Sequence, residues 1–330
     1  MDGAMRAMVL EQFGAPLALR TVPKPVPGNG EILVRIQASG VNPLDLKIRD
    51  GAGTHAQVKV PAIIGIDLAG TIAAVGPGVT DLAKADEVFG MTGGVGSLQG
   101  SLAEYAVVDA DLVARKPANL TMREAAALPL AFITAWEGLV DRAQLAGGQT
   151  LLVHGGAGGV GNICVQLGRA RGAMVFATGS PRDHELIASY GATPIDRARP
   201  VAEYVDEATG GAGFDVVYDT VGGAVLDASF LAARFYGGHV VSALGWGTHS
   251  LAPLSFRAAT YSGVYTLIPL LTGKGRAQHG AILREACTLV EQGLIRPRVD
   301  PATFTLAEAD AAHEHHRAAT GRGKVIVSIA

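Results

Sequence analysis

The clearest chemical pattern in the chain is Gly156-Ala-Gly158-Gly-Val-Gly161, a G-x-G-x-x-G with a further glycine, Gly155, ahead of it. The preceding Thr150-Leu-Leu-Val-His154 reads as a strand. Val160, Ile163, Cys164 and Leu167 then recur at helical spacing, so a helix follows. In that setting each glycine has a purpose. The first makes a tight turn, the second lets the backbone approach a pyrophosphate, and the third lets helix and strand pack closely. Unpaired amides at the helix N-terminus then face negative charge. In a chain with 44 glycines among 330 residues the pattern alone is weak, and the strand-turn-helix setting makes it specific. Gly156, Ala157, Gly158, Gly159, Val160 and Gly161 are therefore expected to cradle a dinucleotide.

An NAD site usually places an acid on the ribose hydroxyls roughly 20 residues past the motif. Here the second strand, Ala173–Thr178, runs into Gly179, Ser180, Pro181 and Arg182, and the first acid is Asp183. A hydroxyl and a guanidinium suit a 2′-phosphate, which arginine can grip with two parallel hydrogen bonds. Thr178, Gly179, Ser180 and Arg182 are expected to hold the adenosine end, and NADPH is expected over NADH. Ser180 also reads as a helix N-cap followed by Pro181, which is compatible with that role. Arg182 reads equally as a solvated surface residue.

The elements that must position these groups fall into two styles. Up to about residue 120, short apolar runs such as 31–39, 61–65, 70–76, 105–109 and 112–115 are cut by glycine and proline, the pattern of a small β-barrel. Thr121-Met-Arg-Glu124 is a capping box, and an Ala-rich apolar segment runs from Ala125 to about Leu145. Strands and helices then alternate. Further strands are expected at Phe214–Asp219 and Gly238–Ser242, a helix near Ala281–Gln292 and a last strand at Lys324–Ile329. Such alternation implies a doubly wound parallel sheet. Hydrophobic residues make up 48% of the chain, which rules out global disorder. A net charge of -3 argues against nucleic-acid binding. No 18-residue apolar run suggests a membrane span. Two cysteines, Cys164 and Cys287, cannot build a disulfide framework, so a reduced, cytoplasmic setting is expected.

Taken together, Ser39-Gly-Val-Asn42-Pro-Leu-Asp45, Pro61-Ala-Ile-Ile-Gly65-Ile-Asp67-Leu-Ala-Gly70, Gly100-Ser-Leu-Ala-Glu104-Tyr105, the glycine loop and Tyr218-Asp219-Thr-Val-Gly222 resemble the medium-chain dehydrogenase/reductase superfamily, in its zinc-free quinone oxidoreductase branch. The resemblance runs from Met5 to the C-terminus, with Met1–Ala4 as an extension. It implies an α/β protein: a GroES-like β-barrel catalytic domain plus a Rossmann doubly wound parallel sheet. Residues 1–124 would form the first part of the catalytic domain, 125–268 the Rossmann domain, and 269–330 the return to the catalytic domain. It further implies that Thr134, Ser242, Ala243, Leu244 and Gly245 hold the nicotinamide carboxamide, and that Arg317 reaches a cofactor phosphate.

Zinc-dependent relatives carry ligands where this chain has Asn42, Ile66 and Leu130, so no metal is expected. Without a Lewis acid, simple alcohol oxidation is disfavoured, while hydride addition to a quinone, enal or enone needs less activation. Asn42 is the catalytic candidate, as a donor to the developing oxyanion; it also reads as a turn residue at a strand end. Lys47 stands where many relatives have a tyrosine, so the proton source is open. Asp45 and Asp67 would organise the site. Tyr105, Trp246 and Tyr261 suit either a substrate pocket or the core. His313 and His316 share a helical face, read here as a polar surface helix rather than a metal site. A homodimer is expected through an edge segment, Val264–Leu267. The expected activity is NADPH-dependent reduction of a small quinone, enal or enone. The alternatives are a cofactor-binding sensor or scaffold and, disfavoured, a zinc alcohol dehydrogenase.

Overall fold

The computed structural model describes residues 3–318 and 323–329, so Met1 and Asp2 of the expected extension lie outside the described residues. The chain begins with β1 (Ala4–Leu10), β2 (Ala18–Pro23), β3 (Glu31–Gly40), α1 (Pro43–Arg49), β4 (Ala62–Ile63), β5 (Asp67–Val75), β6 (Glu87–Met91), β7 (Tyr105–Asp109), β8 (Val113–Arg115) and α2 (Met122–Ala126). It continues through α3 (Pro129–Trp136), β9 (Thr150–His154), α4 (Gly159–Ala170), β10 (Met174–Gly179), α5 (His184–Ser189), β11 (Thr193–Asp196), α6 (Val201–Thr209), β12 (Val216–Asp219), α7 (Ala224–Ala232), β13 (His239–Ser242), α8 (Ala252–Ser255) and β14 (Thr260–Gly263). It closes with α9 (Ile268–Thr272), α10 (Arg276–Glu291), β15 (Phe304–Thr305), α11 (Ala309–Arg317) and β16 (Ile326–Ser328). Two units result. One holds the residues up to Leu130 with those from Leu267 onward; the other is Ala131–Thr266. α2 packs on β3 and β5 of the first unit.

In the first unit β3 is the spine. Its first half, Glu31–Arg35, pairs with β7, and its last residues, Ala38–Gly40, pair with β16. Register shifts against β5 at Leu33/Val34 and Ile36/Ala38 let β3 bend between these partners. This curled sheet has the order β15-β16-β3-β5-β6-β8, and β2-β1-β4 form a smaller sheet beside it, the GroES-like barrel arrangement. Gly40 is required by close approach: a Cβ there would lie 2.3 Å from the Ala126 carbonyl oxygen.

The second unit is a six-stranded parallel sheet, β11-β10-β9-β12-β13-β14. The order reverses between β9 and β12, where ligands of such sheets bind. All four residues of β12 are buried, and Leu152, Phe214, Val217, Phe230 and Val240 belong to one core cluster. The expected strand from Phe214 starts at Val216; Phe214 makes only an isolated bridge to Ala233. The expected edge segment Val264–Leu267 is corrected as well. The edge strand is Thr260–Gly263, and Val264 and Leu267 are buried within the chain, at 7% and 3% exposure.

The Ala-rich segment is not one element. Ala127-Leu128 separate α2 from α3, which begins at Pro129 and runs on into a π-helical stretch at Glu137–Arg142. The wider turn is matched to Tyr218, whose hydroxyl donates to the Thr134 carbonyl at 2.6 Å. The ring fills the space beside Gly138, where a Cβ would lie 2.1 Å from Tyr218 Cε2. Because Tyr218 is fully buried it cannot step aside. Gly138→Ala is therefore expected to destabilise the protein by about 1–3 kcal/mol, the usual cost of overpacking. Denaturant unfolding measures this, and an unchanged midpoint would show that the ring yields freely.

Candidate functional site

The glycine loop leaves β9 at His154 and enters α4 at Gly159. Two of its glycines are required by the fold itself. A Cβ on Gly156 would sit 2.5 Å from Ala177 Cβ, and one on Gly161 would sit 2.1 Å from the Gly155 carbonyl oxygen. Gly158 and Gly159 differ. Both are exposed, and a Cβ on Gly159 would meet nothing within 4 Å. Asn162 donates to the Gly158 and Gly159 carbonyls at 2.7 and 2.9 Å, which fixes the turn and leaves the first-turn amides of α4 for an anion. These residues fit a pyrophosphate.

The Thr178 side chain engages the glycine loop. Its Oγ1 accepts from the Gly155 amide at 3.2 Å and lies 3.1 Å from His154 Nδ1. Burial holds His154 down to about 4, so the imidazole is neutral. Gly179 leads into Ser180, which caps the next turn: Asp183 accepts from the Ser180 amide at 3.2 Å and from its hydroxyl at 2.5 Å. Both Ser180 and Asp183 are thus engaged with each other. Arg182 is exposed and has no hydrogen bond or ion pair among the described residues. The sequence reading missed Arg197. Its amide donates to the Gly179 carbonyl at 2.9 Å, which sets a second exposed arginine beside the end of β10. An arginine just past the next parallel strand was the signal to look for.

At the ends of β12 and β13 a fully buried carboxylate, Asp219, orders two loops. It accepts from the Val221 and Gly222 amides at 3.0 and 2.9 Å and from Ser242 Oγ at 2.7 Å. Ser242 Oγ in turn accepts from the Leu244 amide at 3.1 Å. The Ser242 side chain is therefore committed to shaping the turn through Ala243, Leu244 and Gly245. Gly245 has no room for a side chain, since a Cβ would lie 2.1 Å from the Tyr261 hydroxyl. Thr134 is buried, with its carbonyl taken by Tyr218.

In the first unit Asn42 caps α1 and lies at the centre of a buried polar cluster. Its amide N–H donates to Asp45 Oδ2 at 2.8 Å. Its Nδ2 donates to Asp67 Oδ2 at 3.0 Å and to the Gly40 carbonyl at 3.3 Å. Its Oδ1 accepts from Lys324 Nζ. Asp67 also accepts from the Leu130 amide at 2.9 Å and lies 3.3 Å from Lys324 Nζ. Lys324, which no local sequence pattern singles out, joins the cluster through strand register. β16 pairs antiparallel to β3 with Ile326 opposite Gly40, which extrapolates to Lys324 opposite Asn42. Burial raises both carboxyls, Asp67 in direction and Asp45 to about 7.

Other expected residues have different tasks. Arg317 Nη2 lies 3.0 Å from both carboxylate oxygens of Asp50, and its Nε lies 3.4 Å from Glu314, so its guanidinium is occupied by acids. Lys24 lies over the Tyr105 ring at 3.7 Å, Tyr261 packs edge-on to Phe230, and Trp246 meets Tyr265. His313 is buried at 1% exposure, which corrects the reading of α11 as wholly surface. No group of three or more His, Cys, Asp or Glu suited to a metal occurs among the described residues. The donor set does not suit zinc: Ile66 is fully buried and apolar, Leu130 offers only an amide, and an ammonium lies against Asn42 and Asp67. Among the described residues no helix is long and apolar enough to cross a membrane.

The fold and loop define a two-unit α/β protein with a dinucleotide-binding sheet. Residues 28–118 match a family model described as an alcohol dehydrogenase GroES-like domain, and residues 190–327 match one described as a zinc-binding dehydrogenase. The chain is 32% identical over 334 residues to the chloroplastic NADPH-dependent alkenal/one oxidoreductase of Arabidopsis thaliana, covering 98% of this chain and 79% of that protein. A crystal structure of an alcohol dehydrogenase superfamily protein from Novosphingobium aromaticivorans is 55% identical with a TM-score of 0.97, covering 99% of this chain and 100% of that one. A mycobacterial quinone oxidoreductase structure is 29% identical with a TM-score of 0.84, covering 98% and 99%. The chain also matches two Streptomyces polyketide synthases, of which it spans only 5% and 13%. The chain belongs to the medium-chain dehydrogenase/reductase superfamily, with quinone and enone oxidoreductases among its relatives.

The Asp45 carboxyl gives a test of the cluster. Its folded-state value of about 7 lies above the ordinary 3.8, so the folded protein keeps this proton where an unfolded chain has lost it. The stability this adds is complete below the ordinary value and disappears as pH rises through about 7. Asp45→Asn retains an acceptor for the Asn42 amide and removes the titration. Between about pH 5 and pH 8 the wild type is expected to lose several more degrees of Tm than the variant, at roughly 2–4 °C per kcal/mol. Parallel Tm–pH curves would show that Asp45 does not hold that proton.

Proposed function

We propose that the chain is an NADPH-dependent, zinc-independent oxidoreductase that delivers hydride to a quinone or to the β-carbon of an enal or enone. The observation that carries this reading is the Asn42–Asp67–Lys324 cluster, in which an ammonium and an amide stand among buried carboxylates. Such groups can steady charge on an already activated carbonyl, whereas an unactivated alcohol needs a stronger Lewis acid. When bound, the nicotinamide supplies the hydride. The exposed Gly158–Gly159 turn and the N-terminus of α4 bind the pyrophosphate. Ser180, Arg182 and Arg197 border the adenosine end, with Asp183 turned to the Ser180 cap. Thr134 and the backbone of Ser242–Gly245 hold the carboxamide. Pairing of β14, the open edge of the sheet, would give a C2 homodimer.

Cofactor choice tests the adenosine end. Titration is expected to show NADPH binding at least tenfold tighter than NADH, or ~1.4 kcal/mol. Arg182→Ala and Arg197→Ala should each narrow that gap, and the double variant should erase most of it. Equal affinity of the intact protein for the two cofactors would overturn the choice of NADPH.

Metal content tests the other half. Protein purified without a histidine tag is expected to hold well under one zinc per chain, and its enone or quinone reduction should survive a chelator. Stoichiometric zinc whose removal abolishes activity would refute zinc independence. Tight NADPH binding with no turnover of any quinone, enal or enone would leave a cofactor-binding protein instead.

A further inference from the structure

We propose that Lys324 is the group that meets the negative charge developing on the substrate oxygen, with Asn42 and Asp67 as its positioning residues. The inference rests on the hydride-transfer reading above. It starts from a count of donors. Asn42 was the expected oxyanion donor, but both hydrogens of its amide are directed to protein, one to Asp67 Oδ2 at 3.0 Å and one to the Gly40 carbonyl at 3.3 Å. Asp67 has its oxygens turned to the Leu130 amide, Asn42 and Lys324. An ammonium has three N–H groups. Asn42 Oδ1 takes one, and Asp67 Oδ2 at 3.3 Å attracts a second. The third has no protein acceptor among the described residues, and the Lys324 side chain is 9% exposed.

The surroundings hold that ammonium in place. Gly40 leaves room for its stem, since a Cβ there would lie 3.2 Å from Lys324 Cε. The titratable groups that face it are Asp67 from β5, Asp45 from α1 and His316 from α11. With two N–H groups directed to Asn42 and Asp67 and no acceptor for the third among the described residues, this ammonium has a donor suited to an oxyanion.

A reduced nicotinamide, when bound, would supply the hydride that forms a C–H bond at the β-carbon and would be left oxidised. The C=C pair moves to form a new C=C with the carbonyl carbon, and the C=O pair moves onto oxygen. Lys324 holds the resulting enolate oxygen by a charged hydrogen bond. Water then protonates the α-carbon, and the hydroxide formed is neutralised by buffer. A quinone gives a hydroquinone anion, a weaker base than an enolate, so it needs this donor less.

The test compares the two substrate classes. Lys324→Met is expected to lower kcat for an enone by about 10²-fold, the usual loss of one oxyanion donor. The enone-to-quinone rate ratio should fall at least tenfold, with NADPH affinity retained. Lys324→Arg should recover much of the ratio. Lys324→Met leaves Asp67 buried without its cation and can unfold the unit. The double variant Lys324→Met/Asp67→Asn removes both charges and should show the same selective loss. Equal fractional losses with enone and quinone, or an unchanged enone rate, would overturn the assignment. An intact protein that binds NADPH but reduces neither substrate would instead sink the hydride-transfer reading, and this inference with it.

Discussion

The Asp67 carboxylate is the constraint on which the catalytic unit depends. It is fully buried, and desolvation alone would drive it to the neutral acid. Three groups oppose that: the Lys324 ammonium, the Asn42 amide and the Leu130 N–H. Each comes from a different stretch of chain, so satisfying one carboxylate fixes the start of β5, the cap of α1, the approach to β16 and the residues leading into α3. Removing Lys324 breaks a buried ion pair, which typically costs ~3–5 kcal/mol. Such a cluster is weak evidence of stability gained, and it is good evidence that these groups are held in one geometry.

Asp219 solves the corresponding problem in the parallel sheet. A strand ending at the switch point leaves backbone amides with no ladder partner. Asp219 collects those of Val221 and Gly222 and, through Ser242, reaches the Leu244 amide on the neighbouring strand's loop. Thr178 does the same between β9 and β10 by accepting from Gly155 while touching His154. Side chains that a motif assigns to a ligand are thus often spent on holding the backbone that meets the ligand. The groups left over at this end of the sheet are backbone amides and two exposed arginines, Arg182 and Arg197.

This explains what could be read from the sequence. The glycine loop, the alternation of strand and helix and the capping boxes at Ser180 and Thr121 are local patterns, and the structure contains them. The Asn42–Lys324 pairing spans 282 positions, and no local pattern reports it. Only the register of β16 on β3 brings the two together. Arg197 escaped because the search for a ribose partner followed β10 alone, whereas the parallel pairing of β10 and β11 sets Asp196 opposite Gly179. The π-helical stretch at Glu137–Arg142 has no composition signal either, since its cause is the fit of Tyr218 against Gly138. The edge strand lies four residues before the expected segment, because Val264 and Leu267 look like strand residues but are used for the core.

Charge counting closes the account of the catalytic unit. Two buried carboxyls, Asp45 and Asp67, face one lysine. Lys324 lies within ion-pair distance of Asp67 only, and Asp45 has one oxygen, Oδ1, buried without a hydrogen-bond partner. A lone pair without a donor is poorly suited to a carboxylate and is better tolerated on a neutral acid. Burial raises both carboxyls, and Asp45, raised to about 7, is the one without an ion pair to Lys324. Under the reading proposed above, charge arriving on a bound carbonyl oxygen would meet the Lys324 side chain, which Asn42 and Asp67 hold in place.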